Sequence, residues 1–352
     1  MAKTRPTGPV RDVAMDLGTS MSLVAVRGRG ILLREPSVVA VDRHTGKVLQ
    51  AGEAARQLLG RTPGQVLAVR PLGEGVLRDG GMAEAMIRVF LHRAAPGRVL
   101  RPRLLLGVPT GAAQVSERAL VEAGLRAGAR RVYLMEEPLA AALGAGLDVE
   151  SARGRMVVDV GGGTTDAAVL ALGGIVASAC LPVAGDAFDR AILHYVRARH
   201  GLLIGRRTAE EVKRAVGRLS ALGEGEQLPP FAVRGRCLTT GLPRQTELTG
   251  QETAVALDPV AEELARGVQE VLERTPPELA EDVAEAGILL VGGGSLLPGL
   301  DSLLSERTGI PVIRGENPED AVVLGLEQAL DHLSRRQDGV LDLARRRAVT
   351  GE

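Results

Sequence analysis

The chain of 352 residues has no tryptophan, two tyrosines and three phenylalanines, so base stacking on single-stranded nucleic acid is not expected. Its two cysteines, Cys180 and Cys237, are too few for a disulfide framework or a four-thiolate zinc site. No apolar run approaches the roughly 18 residues typical of a membrane-spanning helix. The opening MAKTRPTGPVRD lacks the apolar stretch of a secretory signal. These absences predict a cytoplasmic protein.

The chain also has no net charge, because 43 lysines and arginines balance 43 aspartates and glutamates. No global field therefore draws it towards nucleic acid or anionic lipid. The five histidines show no metal-binding spacing. With 45% hydrophobic and 24% charged residues, the composition is typical of a globular protein with an ample core. We predict no nucleic-acid partner.

Two stretches of the sequence share one plan. MDLGTSMSLVAV (15–26) and VDVGGGTTDAAV (158–169) each place an acid at the end of an apolar strand, followed by glycine, threonine and a returning strand. We interpret them as an internal duplication of one α/β unit. Two such halves facing each other would place Asp16 and Asp159 across a cleft.

These turns have the residue types that a phosphate chain needs. Glycine-rich turns expose successive N–H groups and permit close backbone approach to phosphate oxygens. A carboxylate beside a phosphate is repelled unless a divalent cation such as Mg²⁺ lies between them. The hydroxyls of Thr19, Thr164 and Thr165 are suited to hydrogen-bond phosphate or water. The pattern, appearing twice, predicts a metal–nucleotide complex between two halves.

A third glycine run, VGGGSLLPGL (291–300), also lies between a predicted strand and helix. It is suited to support the base and ribose, or a phosphate. None of the three runs matches the Walker sequence or the GxGxxG dinucleotide fingerprint. A P-loop enzyme or a dehydrogenase is therefore disfavoured.

Glu137 in MEEPLAAAL (135–143) lies at a predicted strand-to-helix junction. Its carboxylate is placed to orient or deprotonate a water for attack on a γ-phosphate. It is equally suited to the first turn of a helix, where acids are favoured and proline fits N1. Spacing alone leaves both interpretations open.

In this order the motifs resemble the actin-like ATPase superfamily, and more narrowly the MreB family of bacterial actin homologues. The resemblance covers about residues 12–333. The matching stretches include DLGTSMSLVAVRGRGILLREPSVVAVDRHTGKVL, LLGRTPGQVLAVRPLGEGVLRDG, GVPTGAAQVSERALVEAGLRAGARRVYLMEEPLAAALGAGL, MVVDVGGGTTDAAVLALGGIV, LLIGRRTAEEVK and LVGGGSLLPGLDSLLSERTGIPV.

The resemblance implies an α/β actin-like fold, in which two similar α/β domains, divided into four subdomains, surround a nucleotide cleft holding ATP and Mg²⁺. The implied boundaries are a flexible leader at 1–11, subdomain IA at 12–33 with 72–150 and 318–340, subdomain IB at 34–71, subdomain IIA at 151–183 with 253–317, subdomain IIB at 184–252, and a tail at 341–352.

The resemblance also implies roles for individual residues. Asp16 and Asp159 would serve Mg²⁺, partly through water, and Glu137 with Thr164 would position the hydrolytic water. The residues expected to hold the nucleotide are Gly18, Thr19, Gly161, Gly162, Gly163, Thr164, Glu210, Lys213, Gly292, Gly293 and Gly294. Glu210 and Lys213 would lie by the adenosine.

The implied function is that of a cytoskeletal homopolymer, a double protofilament with slow ATPase activity. It would lie at the inner face of the plasma membrane and guide cell-wall synthesis with cell-wall elongation proteins. Val99 and Leu100, flanked by Arg98, Arg101 and Arg103, correspond to the family's membrane loop. A plain connector with solvated arginines is the competing interpretation of that loop.

Three departures from the family pattern bear on turnover. DLGTSMS replaces the usual DLGTANT, AVGRLSA (215–221) lacks an acid and a serine near the nucleoside, and EGVLRDGG lacks a phenylalanine. They fit a nucleotide-binding paralogue with little ATPase activity in a specialised process such as sporulation. A small-molecule kinase of the same superfamily is the other alternative, although residues 31–71 and 184–252 match the filament protein's small subdomains.

Overall fold

The structure is a computed structural model that describes residues 12–58, 64–73, 75–96, 101–220 and 229–332. The predicted leader at 1–11, the tail at 341–352 and the membrane contact at Val99 and Leu100 lie outside the described residues. The chain divides into two compact units. Unit 1 is Met1–Ala152, Ala171–Ile175 and Glu319–Glu352, and unit 2 is Arg153–Leu170 and Val176–Pro318.

Among its described residues, unit 1 has short strands and four helices before residue 152, and one further helix near the end of the chain. Its elements are β1 (Val13–Leu17), β2 (Met21–Val26), β3 (Gly30–Pro36), β4 (Val39–Asp42), β5 (Val48–Ala51), α1 (Glu53–Arg56), β6 (Val66–Val69), β7 (Leu72–Gly73), β8 (Val76–Leu77), α2 (Gly80–Ala94), β9 (Arg103–Val108), α3 (Gln114–Ala127), β10 (Arg131–Glu136), α4 (Glu137–Gly144) and α10 (Ala321–His332).

The main sheet of unit 1 has the order β10-β9-β1-β2-β3. Strand β1 pairs antiparallel with β2 and parallel with β9, and β9 pairs parallel with β10. The apolar runs of β1 and β9 are buried, as a strand covered on both faces requires. A second sheet has the order β5-β4-β6.

Helix α10 holds α4 by a close backbone approach. A Cβ at Gly144 would overlap the carbonyl oxygen of Ala321, and a Cβ at Gly325 would overlap that of Ala140. Only glycine permits such an approach at these positions. The same helix accepts, through Glu327, hydrogen bonds from the N–H groups of the β2–β3 turn. The C-terminal helix therefore fixes both α4 and the strands of unit 1.

Unit 2 repeats this organisation. Its elements are β11 (Arg155–Val160), β12 (Thr165–Ala171), β13 (Gly174–Leu181), α5 (Gly185–His200), β14 (Leu202–Leu203), α6 (Arg206–Val216), β15 (Phe231–Cys237), β16 (Pro243–Leu248), α7 (Gly250–Glu273), α8 (Pro277–Ala286), β17 (Ile288–Val291), a 3₁₀ turn (Gly293–Leu296), α9 (Leu300–Thr308) and β18 (Val312–Arg314). A second 3₁₀ turn (Pro318–Asp320) spans the boundary between the units and continues into α10.

The five-stranded sheet of unit 2 has the order β13-β12-β11-β17-β18. Strand β11 pairs antiparallel with β12 and parallel with β17, and β17 pairs parallel with β18. Read from the other end, this is the strand order of the main sheet in unit 1. The predicted duplication is therefore confirmed by the topology.

Local signals set the limits of the long helices in unit 2. Helix α7 begins with a capping box in which the Thr249 side chain accepts from the Glu252 N–H and the Glu252 side chain accepts from the Thr249 N–H. Pro276 and Pro277 separate it from the next helix, because α7 ends at Glu273 and α8 begins at Pro277. Among the helices in the described part of the chain, none is long and apolar enough to cross a bilayer.

Candidate functional site

The β11–β12 hairpin of unit 2 places two carboxylates side by side. Asp159, the last residue but one of β11, pairs in register with Asp166 of β12. Side chains directly opposite each other on antiparallel strands lie on the same face, with Cβ atoms about 4.5–5.5 Å apart. Asp159 is 7% exposed and Asp166 is 1% exposed. The two carboxyl groups therefore lie close together at the start of the glycine turn.

The glycine turn after Asp159 is tightly closed. The Gly161 N–H donates to the Thr164 carbonyl oxygen at 2.9 Å, and a Cβ at Gly161 would lie 3.0 Å from that oxygen. Gly162 and Thr164 are half-buried, whereas Gly163 is buried. Thr165 is fully buried and its hydroxyl donates to the Val183 carbonyl oxygen at 2.6 Å. Contrary to expectation, the Thr165 hydroxyl is engaged within the fold.

The third glycine run packs directly on the side chain of Asp159. Gly292 has a φ of 81°, and a Cβ there would overlap Asp159 Oδ1 and the Val160 carbonyl oxygen. A Cβ at Gly294 would overlap the Val160 side chain. The 3₁₀ turn that begins at Gly293 starts from this contact. The structure therefore brings the residues predicted from two distant glycine runs into one site.

Helices α5 and α6 bring the predicted nucleoside residues close to the same turn. The Gly185 and Asp186 N–H groups donate to the carbonyl oxygens of Gly161 and Gly162, at 3.2 and 2.7 Å. Lys213 Nζ donates to the Gly185 carbonyl oxygen at 2.9 Å. Glu210, one turn earlier on α6, pairs with Arg214 at 3.0 Å. Lys213 is thus hydrogen-bonded to Gly185, the residue whose N–H group contacts the glycine turn.

In unit 1, Asp16 occupies the position in β1 that Asp159 occupies in β11, and its cross-strand partner is Leu23. Burial raises the pKa of the Asp16 carboxyl to about 7, so a cation beside it would favour the charged form. A Cβ at Gly18 would lie 2.7 Å from the Met21 carbonyl oxygen. Thr19 in the same turn is buried. The β1–β2 turn is therefore as compact as its counterpart.

The altered TSMS turn (19–22) is stabilised by a hydroxyl that sequence reasoning missed. Ser37 Oγ donates to the Gly18 carbonyl oxygen at 2.6 Å and lies 2.8 Å from Ser22 Oγ. Ser22 and Ser37 are both fully buried. The serine that replaces the family's residue at position 22 is thus part of the turn's own hydrogen bonding.

Glu137 lies at the first residue of α4, directly after β10. A Cβ at Gly107 of β9 would lie 3.3 Å from Glu137 Cγ. Because β10, β9 and β1 run parallel, their carboxyl ends share one edge, where Asp16 also lies. The N-cap residue Glu136 makes no side-chain capping bond. Glu137 therefore lies in the first turn of α4 and at the sheet edge that carries the acid–glycine turn of unit 1.

The acid–glycine turn of each unit, taken by itself, fits a phosphate group with Mg²⁺. Bare glycine positions leave room for close backbone approach, and carboxylate oxygens are the donors that Mg²⁺ prefers. Across the described ranges, no three His, Cys, Asp or Glu side chains cluster to hold a metal. One or two carboxylates, such as that of Asp159 in unit 2, are the protein ligands that Mg²⁺ usually takes together with water and phosphate.

Two acids near this site were not among the predicted residues. Asp166 was visible in the sequence as the second acid of VDVGGGTTD, but only the strand register shows that it faces Asp159. Asp189, on α5, lies 2.8 Å from Lys213 Nζ, and no local pattern indicated that pairing. At the predicted membrane loop, Arg103 pairs with Asp12 and is largely buried, so this arginine is not a solvated flanking charge.

The sequence as a whole matches a known family. The family model of the MreB/Mbl protein matches residues 10–338. The chain belongs to the MreB/Mbl family. This MreB/Mbl chain is 44% identical over 326 residues to the cell shape-determining protein Mbl of Bacillus subtilis, covering 92% of this chain and 97% of that one. It is 45% identical over 326 residues to the cell shape-determining protein MreB of Escherichia coli K12, covering 91% and 93%.

Solved structures confirm the actin-like fold of this family member. MreB5 of Spiroplasma citri bound to AMPPNP superposes with a TM-score of 0.87 at 31% identity, covering 93% of this chain and 97% of that one. The same protein bound to ADP gives a TM-score of 0.87 at 32% identity, covering 93% and 98%. A MamK double helical filament, at 21% identity over 91% of this chain and 98% of that one, gives 0.77 and shows the fold alone.

Proposed function

We propose that this protein is an ATP-dependent, filament-forming bacterial actin-like cytoskeletal protein that acts in cell-shape determination and guides cell-wall synthesis. The observation that carries the proposal is the acid–glycine hairpin, present at equivalent positions of two sheets with the same strand order. Membership of the MreB/Mbl family and the names of the B. subtilis and E. coli relatives, both cell shape-determining proteins, support the cellular role.

Nucleotide binding is supported by the AMPPNP and ADP complexes of the S. citri relative. We assign the phosphates to the turns at Gly18–Thr19 and Gly161–Thr164, and the remainder of the nucleotide to Glu210, Lys213 and the run Gly292–Gly294. Backbone N–H groups of the turns would donate to phosphate oxygens. Asp16 and Asp159 would hold Mg²⁺, partly through water. The bound Mg²⁺ would neutralise phosphate charge.

Hydrolysis is assigned to Glu137 with Thr164. The Glu137 carboxylate would orient a water and accept its proton, and the Thr164 hydroxyl would hydrogen-bond the same water. The position of Glu137 against Gly107, at the sheet edge that carries Asp16, supports this role. We expect slow turnover, because Met21 stands where the family pattern DLGTANT has an asparagine, and a thioether side chain has no N–H group to donate to a phosphate.

We further propose that the protein assembles with itself into double protofilaments at the inner face of the plasma membrane. Cell-wall elongation proteins would be its partners there. Val99 and Leu100 would contact the lipid, with Arg98 and Arg101 beside them for anionic headgroups. Each copy would bind weakly, and a filament would multiply the contacts.

Electron microscopy of the purified full chain with Mg·ATP, with and without anionic vesicles, tests this proposal. We expect double filaments on vesicles, dependent on nucleotide. Free filaments with no vesicle association would remove the membrane part of the proposal, and no polymer under any condition would overturn the filament function. ATP consumption that depends on an added sugar or acid, with the phosphoryl group transferred to that substrate, would favour a kinase instead. Filaments without measurable hydrolysis would indicate the specialised paralogue.

A further inference from the structure

Unit 1 has a groove of about 740 Å³ between strand β5 and helix α2, which we call the β5 groove. All four residues of the strand, Val48–Ala51, line it. Side chains of a strand alternate between its two faces, so a cavity over one face is lined by every second residue. Contact with four consecutive residues therefore places the groove along the edge of β5.

The edge of β5 that borders the groove carries backbone groups that do not point towards β4. Among the described strands, β5 pairs with β4 alone. The Gly52 N–H donates to the Val38 carbonyl oxygen at 2.9 Å, and the next pair along the strands is Val39 with Ala51. Since hydrogen-bonded and non-hydrogen-bonded pairs alternate in an antiparallel ladder, the N–H and carbonyl groups of Ala51 point away from β4.

The composition of β5 permits a further strand to pair there. Its sequence VLQA contains neither a charge nor a proline, the residues that commonly prevent pairing at an edge. At a rise of about 3.3 Å per residue, four residues offer an edge of about 13 Å. The volume of the groove lies within the range of about 300–1,000 Å³ that is typical of ligand pockets. A short extended peptide therefore fits in size.

Helix α2 forms the opposite wall of the β5 groove. It contributes Ala85, Arg88, Val89 and Arg93, whose spacing places them on one face of the helix. Ala85 and Val89 are half-buried, whereas both arginines are exposed. A chain laid beside β5 would thus meet apolar side chains with cations next to them.

The carboxylates that line the groove already have partners. Glu35 accepts from the Glu53 N–H at 2.9 Å and pairs with Arg93. Glu53 pairs with Arg56 at 2.8 Å. Lys47, which precedes β5, is exposed, and no ion pair joins its ammonium group to another described residue. The positive charge at the Lys47 end of the groove is therefore not compensated by these acids.

Arg88 adds a second cation that an incoming carboxylate can reach. Its Nη2 donates to Glu84 and to the Arg126 carbonyl oxygen, but a guanidinium has five N–H donors. Its side chain is 58% exposed. Exposed ion pairs between residues four apart on a helix are weak. A carboxylate in the groove can therefore bind Arg88 beside Glu84 or in its place.

We propose that the β5 groove binds a short extended segment of a partner protein, which adds a strand to the free edge of β5 and directs acidic side chains to Lys47 and Arg88. Main-chain hydrogen bonds supply affinity, and the cations on the groove supply specificity. None of the lining residues belongs to the acid–glycine turns. This binding is therefore a further function, separate from the proposed nucleotide site.

The experiment measures peptide binding to the nucleotide-free full chain by fluorescence anisotropy. The probe is a labelled hexapeptide of alternating valine and glutamate, since valine favours an extended chain. A second probe has lysine in place of glutamate. A third is the acidic peptide methylated at every peptide nitrogen, which keeps the charge but has no main-chain N–H to donate. We expect the acidic probe to bind at least about tenfold more tightly than either of the others.

Charge reversal at the groove tests the two cations. Lys47→Glu and Arg88→Glu should each weaken binding of the acidic probe at least about fivefold, because attraction is replaced by repulsion. Arg118→Glu is the matched control. Arg118 is an exposed arginine of α3 that does not line the groove, and the affinity of this variant should equal that of the parent.

Hydrogen exchange in the parent locates the bound peptide without any substitution. The Ala51 amide should gain protection when the acidic probe is added, and the amides of β6 should not. Strand β6 is the other edge of the same sheet, so it reports pairing at the wrong edge.

Four results would overturn the proposal. They are failure of the acidic probe to bind the parent, equal affinity for the acidic and basic probes, protection gained at β6 and not at Ala51, and full affinity in both Lys47→Glu and Arg88→Glu. Vesicles of phosphatidylglycerol are added to the bound probe as a competitor. Displacement of the probe by them, lost in Lys47→Glu, would identify a lipid headgroup as the occupant instead of a peptide.

Discussion

Asp159 and Asp166 lie directly opposite each other on β11 and β12, so that two buried carboxylates share one face of the sheet. The equivalent pair in unit 1 is Asp16 with Leu23. The two duplicated hairpins have therefore diverged, because the hairpin of unit 2 has an acid where that of unit 1 has a leucine. Like charges in direct opposition are destabilising, so a cation near this pair would stabilise it.

We predict that Mg²⁺ strengthens ATP binding through this pair. Asp159→Asn and Asp166→Asn each preserve shape but remove one charge, and should reduce the effect of Mg²⁺ on ATP affinity by about 10–100-fold. Titrations in Mg²⁺ and in EDTA measure the effect. Asp301→Asn, which alters a half-buried ion pair with Arg314 elsewhere in unit 2, is the control. If the ratio of ATP affinities in Mg²⁺ and in EDTA were the same for Asp159→Asn as for the parent, this residue would be excluded from the metal site.

We predict that Glu137→Gln slows phosphate release while filaments still form. The amide cannot accept a proton from the attacking water, and loss of a general base costs about 10²-fold or more in rate. Single-turnover phosphate release, with ATP affinity measured in parallel, checks this. Glu136→Gln, which changes the neighbouring residue at the end of β10, should hydrolyse ATP at the parent rate. Equal rates for Glu137→Gln and the parent would refute the catalytic role.

We predict that Gly144→Ala and Gly325→Ala each destabilise unit 1 severely. The added methyl group would overlap the backbone of the facing helix, which has no flexible side chain to move aside. The cost should reach or exceed the upper end of the typical range for overpacking, which is about 1–3 kcal/mol. Denaturant unfolding of the full chain, monitored by hydrogen exchange in α4, measures it.

Gly80→Ala is the contrasting control for those two substitutions. Gly80 lies in the first turn of α2, where an added Cβ meets only ordinary contact with Leu77. The same chemical change should there be neutral, or stabilising by up to about 1 kcal/mol. If the Gly144→Ala and Gly80→Ala variants had equal free energies of unfolding, the close crossing of α4 and α10 would be contradicted.

We predict that Glu252 makes a pH-dependent contribution to the free energy of unfolding. Burial acts to raise its pKa, but hydrogen bonds from Thr249 and His200 outweigh it and lower the net value. A carboxyl with a lowered pKa in the folded state stabilises the fold above its unfolded pKa, about 4.3. That contribution disappears as the pH falls through the folded-state pKa.

Glu252→Gln should therefore cost about 1 kcal/mol near neutral pH, as loss of a helix cap does, and progressively less in acid. Denaturant unfolding over a pH series measures the difference from the parent. Glu247→Gln, at an exposed position on β16, should show no such trend. If the loss of unfolding free energy in Glu252→Gln persisted unchanged in acid, the role of the ionised carboxylate would be contradicted.

Much of the fold was predictable because its signals are local. The apolar runs before Asp16 and Asp159, followed by glycine, indicated strand–turn–strand units, and the structure has β1–β2 and β11–β12 there. Pro276–Pro277 indicated the break between α7 and α8 for a similar reason, since proline lacks the N–H that a continuing helix requires. Each of these features depends on a few consecutive residues.

Other parts of the site depend on residues far apart in sequence. The contact between Asp159 and Gly292 required the pairing of β11 with β17. The Ser37 hydroxyl that supports the first turn comes from the segment after β3. Thr165 illustrates the opposite error, because its hydroxyl matched the phosphate pattern but is engaged by the Val183 carbonyl oxygen.

By itself, the sequence determined that this protein contains a duplicated acid–glycine unit, and its motifs identified the MreB family. Both follow from short-range chemistry, in which glycine permits tight turns and apolar runs form buried strands. Only the tertiary structure decided that Asp166 faces Asp159, that Asp189 pairs with Lys213 beside Gly185, and that Gly144 and Gly325 let two helices meet. These relationships arise from strand register and close packing, which no local pattern encodes.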